Sequence, residues 1–350
     1  MRLIQPARAV VFLVLAGLAV AVPTLDGFAR TKKPAVIEVP PPPPPPPPAG
    51  PVGLPDRMIA DAAAYDSYMR NATSLTPAFT DAGSVSHMLD QARAYSPKSL
   101  VRGAVAAAAI AALRDKTFVA SIREAGNSPE HRAQIVDYVL ANPAYALVFK
   151  GSDEAASLAR DAVGPNALQL FLTGKVIRQS AYDIQKQGWS KVAVPDLPGR
   201  LAAAEAAAAG DMTPDADRLL AARQAIAGNA SGDLSVKPMS PPYAPMIAQA
   251  LQLAAIAALG EARDDTYDRL SVLTRDGETE ACLGAAKRNF HQCLAVARPN
   301  YEDIFCAGQH ALRDTGACMA KAAGVDLPPE PLPPPAAPTK KRVVPKKRKG

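Results

Sequence analysis

The sequence predicts an all-α protein, in which an Ala-rich array of helices leads into a C-terminal disulfide-linked helical hairpin and is flanked by disordered Pro-rich segments. Of the 350 residues, 48% are hydrophobic but only 5% are aromatic, and alanine supplies much of the apolar content. Alanine is the strongest helix former, whereas a β-sandwich needs many β-branched and aromatic side chains. No segment alternates clearly between apolar and polar residues, and residues 192–194, which come nearest, are a short run.

The first 29 residues have the three-part layout of a secretory signal. Arg2 and Arg8 precede the uninterrupted apolar run 9–22, and a small residue at Ala29 provides a cleavage site. Such a run rises only about 21 Å as a helix, less than the roughly 30 Å of a bilayer core. We therefore expect a cleaved signal and a periplasmic or otherwise extracytoplasmic bacterial protein. The alternative is an uncleaved N-terminal anchor in the inner membrane, with residues 23–25 extending the span.

Residues 30–56 form a predicted linker. Residues 40–48 are nine consecutive prolines, which as polyproline II would extend about 28 Å at roughly 3.1 Å per residue. After an export signal, this stiff segment is interpreted as a spacer that holds the body away from a membrane or through a wall layer. The alternatives are an inert linker and a docking peptide for an aromatic-lined groove.

Residues 57–275 form the predicted helical body. Ser-Pro and Thr-Pro pairs place a capping residue before a proline at the first helical position, and glycine or Asn-Pro follows the expected helix ends. Leu100, Val105 and Ile110 follow helical spacing among alanines in one segment. We expect about eight to ten helices in a bundle or irregular array. The clearest are predicted over residues 97–114, 129–141, 214–227 and 243–263.

Residues 276–323 contain all four cysteines and are predicted to form the hairpin. The spacing is C-x10-C-x12-C-x11-C, with Arg-Pro-Asn at the centre. Pro299 should end one helix, and Asn300 should cap the next with Asp303 at the capping-box position. Around that turn the cysteines stand opposite one another in two nested pairs: Cys293 with Cys306, and Cys282 with Cys318.

Nested pairing is the preferred one of the three connectivities that four cysteines allow. The residues between the first two cysteines complete nearly whole α-helical turns, so both lie on one face. From Cys306 to Cys318, however, an α-helix would rotate about 120° away from that face. Gly316 is the expected place for a break that corrects this angle.

The layout resembles, in topology only, the twin-cysteine helical hairpins of coiled-coil-helix proteins. Those hairpins are built from two C-x9-C units, which this sequence lacks. The resemblance covers the 276–323 segment and implies a stapled hairpin, without implying a function.

An even number of cysteines behind an export signal favours disulfides, because the extracytoplasmic compartment is oxidising. The alternative is a metal site, in which His291 and His310 would join the inner pair, Cys293 and Cys306. A redox role is a further alternative, although no C-x-x-C motif is present. No cofactor is expected.

Candidate catalytic groups are few. The chain has four histidines, and His310 with Asp314, four residues apart, has the spacing of a base and its orienting acid. Nucleophile-elbow, metalloprotease, phosphate-loop and dinucleotide motifs are absent from the sequence. A non-enzymatic binding or scaffold protein is therefore expected. The alternative is an envelope enzyme that hydrolyses cell-wall glycan or lipid through an unrecognised acid or histidine site.

Residues 324–350 form a predicted disordered, Pro-rich and basic tail. The chain carries a net charge of +6, of which 340–350 contribute +7 and 1–29 contribute +1, which leaves −2 for 30–339. A basic globular face that binds nucleic acid specifically is therefore not expected. The tail predicts contact with an anionic envelope surface (lipid head groups, lipopolysaccharide or a cell-wall polymer) or with an envelope protein. The contacting residues are Lys340, Lys341, Arg342, Lys346, Lys347, Arg348 and Lys349.

Overall fold

The computed structural model describes residues 48–228 and 236–329, and these residues confirm the all-α prediction. They contain thirteen α-helices and no β-strand. Their one β-bridge joins Ala193 to Pro299, and Ala193 lies within the short run 192–194 that came nearest to a strand pattern. The predicted signal or anchor, most of the proline linker and the basic tail from 340 onward lie outside the described residues.

The chain order of the helices follows the predicted division into a long body and a shorter hairpin. Short 3-10 turns precede α6, α7 and α10 and follow α10, and a π-helical segment, Ala307–Asp314, separates the last two α-helices. The helices are α1 Asp56–Thr73, α2 Ala82–Arg93, α3 Pro97–Ala112, α4 Lys116–Ala125, α5 Pro129–Ala141, α6 Ser152–Ile184, α7 Leu197–Ala209, α8 Ala216–Ile226, α9 Pro245–Ala258, α10 Tyr267–Leu270, α11 Gly277–Val296, α12 Asn300–Cys306 and α13 Thr315–Ala322.

Most of the predicted helices begin at the residues that the capping patterns in the sequence indicate. The Ser96 and Ser128 side chains cap α3 and α5 by accepting from the backbone N–H three residues later, and a proline is the first helical residue of each. The third predicted start is displaced, because α8 begins at Ala216 without a side-chain cap. The described part of the 57–275 body contains ten α-helices, α1 to α10, which agrees with the expected eight to ten.

Helices α3 and α9 form the centre of the core and pack against each other. Most of their residues are buried, and ten of the 22 buried ones are alanines, whose small side chains let helix backbones approach closely. None of the described helices is long and apolar enough to cross a membrane.

Helix α6 extends along the body and contacts the second arm of the hairpin for much of its length. Its 33 residues rise about 50 Å. Where the two elements cross, glycines on both sides bring the backbones into contact. A Cβ atom at Gly174 would lie 2.3 Å from the Arg313 backbone nitrogen, and one at Gly308 would lie 2.4 Å from that of Arg178. Only glycine fits at such distances.

Gly316 belongs to the same crossing. The sequence indicated a break in the helix at Gly316, before Cys318, but no break occurs there. Gly316 lies within α13, and a Cβ atom there would approach the Phe171 backbone nitrogen to 2.3 Å. Buried side chains of the 57–275 body and of the 276–323 hairpin belong to one hydrophobic cluster. The hairpin therefore packs as part of the core.

Candidate functional site

Two nested disulfides join the arms of the hairpin. Cys282 is bonded to Cys318 and Cys293 to Cys306, with Cα–Cα distances of 5.8 and 5.6 Å. None of the four cysteines is free. The first arm is α11, and the second comprises α12, the π segment and α13. This is the connectivity that the mirror positions about residue 300 favour.

The π segment removes the angular objection to this pairing. Its i→i+5 hydrogen bonds widen each turn, so a residue advances by roughly 80° in place of about 100°. Eight of the residues between Cys306 and Cys318 belong to this segment. The arm therefore completes close to three turns, and both cysteines face α11. The α-helical spacing assumed from the sequence was wrong for this arm.

The turn of the hairpin also differs from the prediction. Asn300 and Asp303 do not form a capping pair, because Pro299 is the residue before α12 and no side chain caps that helix. The Asn300 side-chain nitrogen instead donates to the carbonyls of Trp189 and Val192, at 3.3 and 3.1 Å. Asp303 forms an ion pair with Arg200 of α7. Both residues therefore fix neighbouring segments to the hairpin.

His310 and Asp314 form the pair that their spacing predicts, within the π segment. The His310 Nδ1 and Asp314 Oδ2 atoms are 2.8 Å apart. The other oxygen of Asp314 accepts from Gln309 and Arg313, each at 3.0 Å. The Asp314 carboxylate thus forms hydrogen bonds with three side chains of its own segment. The pair has the geometry of a base and its orienting acid, and it forms part of a local polar network.

The structure does not bring the alternative metal ligands together as a metal site. Cys293 and Cys306 are in a disulfide, whereas zinc binds cysteine as the thiolate. The described residues contain no cluster of three or more histidine, cysteine, aspartate or glutamate side chains that could hold a metal ion. The histidines of that alternative, His291 and His310, lie on opposite arms of the hairpin.

A groove of about 390 Å³ lies beside the inner disulfide, between α6 and the hairpin turn. Its aromatic side chains include Tyr182 and Phe305, whose rings meet edge to face at 5.9 Å. Tyr182 is 51% exposed and Val296 is 73% exposed. The groove leaves no signal in the sequence, because it forms only where α6 meets the hairpin. The lining residues are Ala181, Tyr182, Gln185, Cys293, Val296, Ala297, Tyr301, Glu302, Phe305 and Cys306.

A second, more polar cavity of about 180 Å³ lies between α2, α7 and α12. Asp303 is fully buried there beside Arg200. Burial raises the pKa of its carboxyl, and the Arg200 guanidinium opposes that rise. One oxygen of Asp303, the side-chain oxygen of Asn300 and the Arg200 Nε have no hydrogen-bond partner within the described ranges 48–228 and 236–329. The cavity lining includes Val85, Ser86, Leu89, Asp90, Arg93, Val194, Asp196, Arg200, Asn300 and Asp303.

Lys287, on the buried side of α11, is a titratable group that the sequence did not single out. Its ammonium donates to the Arg93 carbonyl at 2.6 Å and lies 3.7 Å from the centre of the Tyr95 ring. The side chain is almost wholly buried. Burial, and to a smaller extent the Arg93 guanidinium, lower the pKa of Lys287 to about 7. The Tyr95 hydroxyl is 2.5 Å from the Thr315 hydroxyl, which connects the cluster to the second arm.

Replacing Lys287 by methionine is expected to stabilise the protein at pH 7, and the advantage should shrink as the pH rises. The lysine titrates near 10.5 when unfolded and near 7 when folded, so between these values the unfolded chain binds more protons. The stability of the unmodified protein should therefore rise by about 3 kcal/mol from pH 7 to 9.5, relative to the variant. Urea denaturation at a series of pH values measures this difference.

The exposed Lys186 supplies the control for that experiment, because Lys186→Met removes a lysine without relieving burial. Its stability curve should run parallel to that of the unmodified protein. If the stability of Lys287→Met also changes with pH in parallel with that of the unmodified protein, then the pKa of Lys287 is not lowered in the folded state.

Comparison of the chain with protein-family models, with curated proteins and with solved structures finds no match in any of the three.

Proposed function

We propose that this chain is an exported protein of the bacterial cell envelope, which binds or scaffolds and does not catalyse. The observation that carries the proposal is the pair of nested disulfides across one hairpin. Such bonds persist in oxidising compartments and are rare in the cytosol. The N-terminal segment, with its basic start, apolar run and small residue at Ala29, supplies the matching export signal.

Two observations support binding over catalysis. All four cysteines are bonded to one another, and the carboxylate beside His310 is shared among three partners. The buried Asp303 in the polar cavity favours a second candidate, an envelope hydrolase, because glycoside hydrolysis uses a carboxyl group of raised pKa. Its ion pair with Arg200 makes it a poor proton donor, so this candidate ranks second.

The basic tail is the proposed contact with an anionic surface. The 30–339 region has a net charge of −2, so the attraction must come from the seven cations of residues 340–350. Several arginines of the body are compensated by acids. Arg102 lies 3.0 Å from both Asp61 and Asp211, and Arg70 lies 3.1 Å from Asp215. Each lysine or arginine near an anionic membrane contributes about 1 kcal/mol.

Removing residues 340–350 is expected to abolish salt-sensitive association with the envelope. The full chain and the truncated chain are produced in a bacterial host, and cells are separated into cytoplasmic and extracytoplasmic fractions. Both chains should appear outside the cytoplasm. The full chain should stay with envelopes at low salt and be released at high salt, because screening weakens surface attraction. The truncated chain should be released at both salt concentrations.

A chain with the same tail composition in scrambled order is the matched control, and it should behave as the full chain does. Cytoplasmic retention of all three chains contradicts the proposed export. Unchanged envelope association of the truncated chain contradicts the role of the tail, and leaves export standing.

A further inference from the structure

The polar cavity between α2, α7 and α12 contains three buried polar atoms that have no hydrogen-bond partner among the residues that the structure describes. They are an oxygen of Asp303, the side-chain oxygen of Asn300 and the Nε of Arg200. Asp303 and Asn300 are 0% and 2% exposed. Native proteins rarely leave such atoms unsatisfied, since a buried polar group without a hydrogen bond is costly. Three around one cavity therefore indicate that something else supplies their hydrogen bonds.

The chemistry of the three atoms defines what that occupant must offer. Two are acceptors, one of them on a carboxylate, and they require donors. The third is a guanidinium N–H, and it requires an acceptor. An ammonium group donates to several acceptors at once, and a hydroxyl on the neighbouring carbon accepts from the guanidinium. The set is therefore complementary to a primary amine with an adjacent hydroxyl.

The charge around the cavity favours a cation. Asp303 is paired with Arg200, and Asp90 is paired with Arg93. Asp196 has no arginine partner in the described part of the chain, and one of its oxygens accepts from the Gly199 backbone nitrogen at 3.1 Å. The lining residues thus carry one uncompensated negative charge, which a singly charged ammonium neutralises.

The volume fits a small organic molecule. The cavity measures about 180 Å³, whereas one water molecule needs only about 10–15 Å³ of such space. Val85, Leu89 and Val194 supply apolar walls, which is typical of small-molecule sites with a few polar groups.

We propose that this cavity binds a small vicinal amino alcohol, with its ammonium on Asp303 and Asn300 and its hydroxyl on Arg200. Such chemistry occurs in free hexosamines and in free ethanolamine, and titration with each separates these two sources. This inference concerns a different part of the protein from the basic tail, and it survives if the tail has no role.

Calorimetric titration of the full, disulfide-bonded chain tests the proposal, with glucosamine and ethanolamine as probes. At least one should bind saturably, and which one binds more tightly identifies the source. Glucose and N-acetylglucosamine are the matched controls, because they preserve the ring and its hydroxyls but lack an ammonium. They should bind at least about tenfold more weakly, since charge-assisted hydrogen bonds are the stronger ones.

Two variants assign the binding to the cavity. Asp303→Asn removes the carboxylate and should weaken binding about tenfold or more. Asp196→Asn keeps a residue that caps helices well and tolerates a positive φ, here 54°, so it should fold normally and weaken binding several-fold. Asp161→Asn, at an exposed position on α6, should leave binding unchanged.

Circular dichroism checks that each variant is folded, and Asp196→Asn decides the matter if Asp303→Asn does not fold. The proposal is overturned if neither amine binds, if glucose or N-acetylglucosamine binds equally well, or if Asp196→Asn binds as tightly as the unmodified chain.

Discussion

Replacing Gly308 by alanine is expected to lower the free energy of unfolding by about 3–5 kcal/mol, at the upper end of single-substitution effects. The new methyl group would lie 2.4 Å from the Arg178 backbone nitrogen and 3.0 Å from the Gly174 carbonyl oxygen. These are backbone atoms in α6, so no side-chain rotation relieves the clash. The π segment and α6 must separate, and the contact along the crossing is lost.

Gly284→Ala is the matched control, since Gly284 is also inside a helix, α11. The nearest neighbour of an added methyl group there is the tip of the Arg288 side chain, at 3.3 Å. This flexible group can move, and alanine is favoured over glycine in helices by about 1 kcal/mol. The control should therefore be neutral or slightly stabilising. Thermal and urea denaturation compare the two, and equal stability of both variants would show that the crossing is looser than described.

Removing the outer disulfide, by changing Cys282 and Cys318 together to serine, is expected to cost about 4 kcal/mol. The reason is chain entropy in the unfolded state, which the cross-link restricts. The outer bond joins residues 36 apart and the inner bond residues 13 apart. Loop-closure entropy grows with the length of the loop, so removal of the inner bond should cost less, about 3 kcal/mol.

The double variant of Cys293 and Cys306 is the internal comparison. Urea denaturation without reductant measures both variants, and a mass measurement confirms that the remaining bond is formed. The outer pair should be the more destabilising of the two. The opposite order would mean that contacts around the inner bond, and not chain entropy, dominate its contribution.

The local chemistry of the helices could be predicted well. Ser96 and Ser128 cap helices in the structure, as predicted. Capping could be predicted because it depends only on the capping residue and the three residues that follow it in the sequence. The pairing of the cysteines could also be favoured from their symmetrical spacing. The π segment could not be predicted, because it depends on how the second arm packs against both α6 and α11. The predicted capping roles of Asn300 and Asp303 were wrong for the same reason, since each has a partner more than 100 residues away.

The sequence by itself determined the helical class, the hairpin and the location of charge in the tail, because composition, capping and spacing act locally along the chain. Only the tertiary structure decided where the functional candidates lie. The aromatic groove, the polar cavity and the buried Lys287 each combine residues from helices far apart in the chain. Burial and unsatisfied hydrogen bonds are properties of that packing, and periodicity does not encode them.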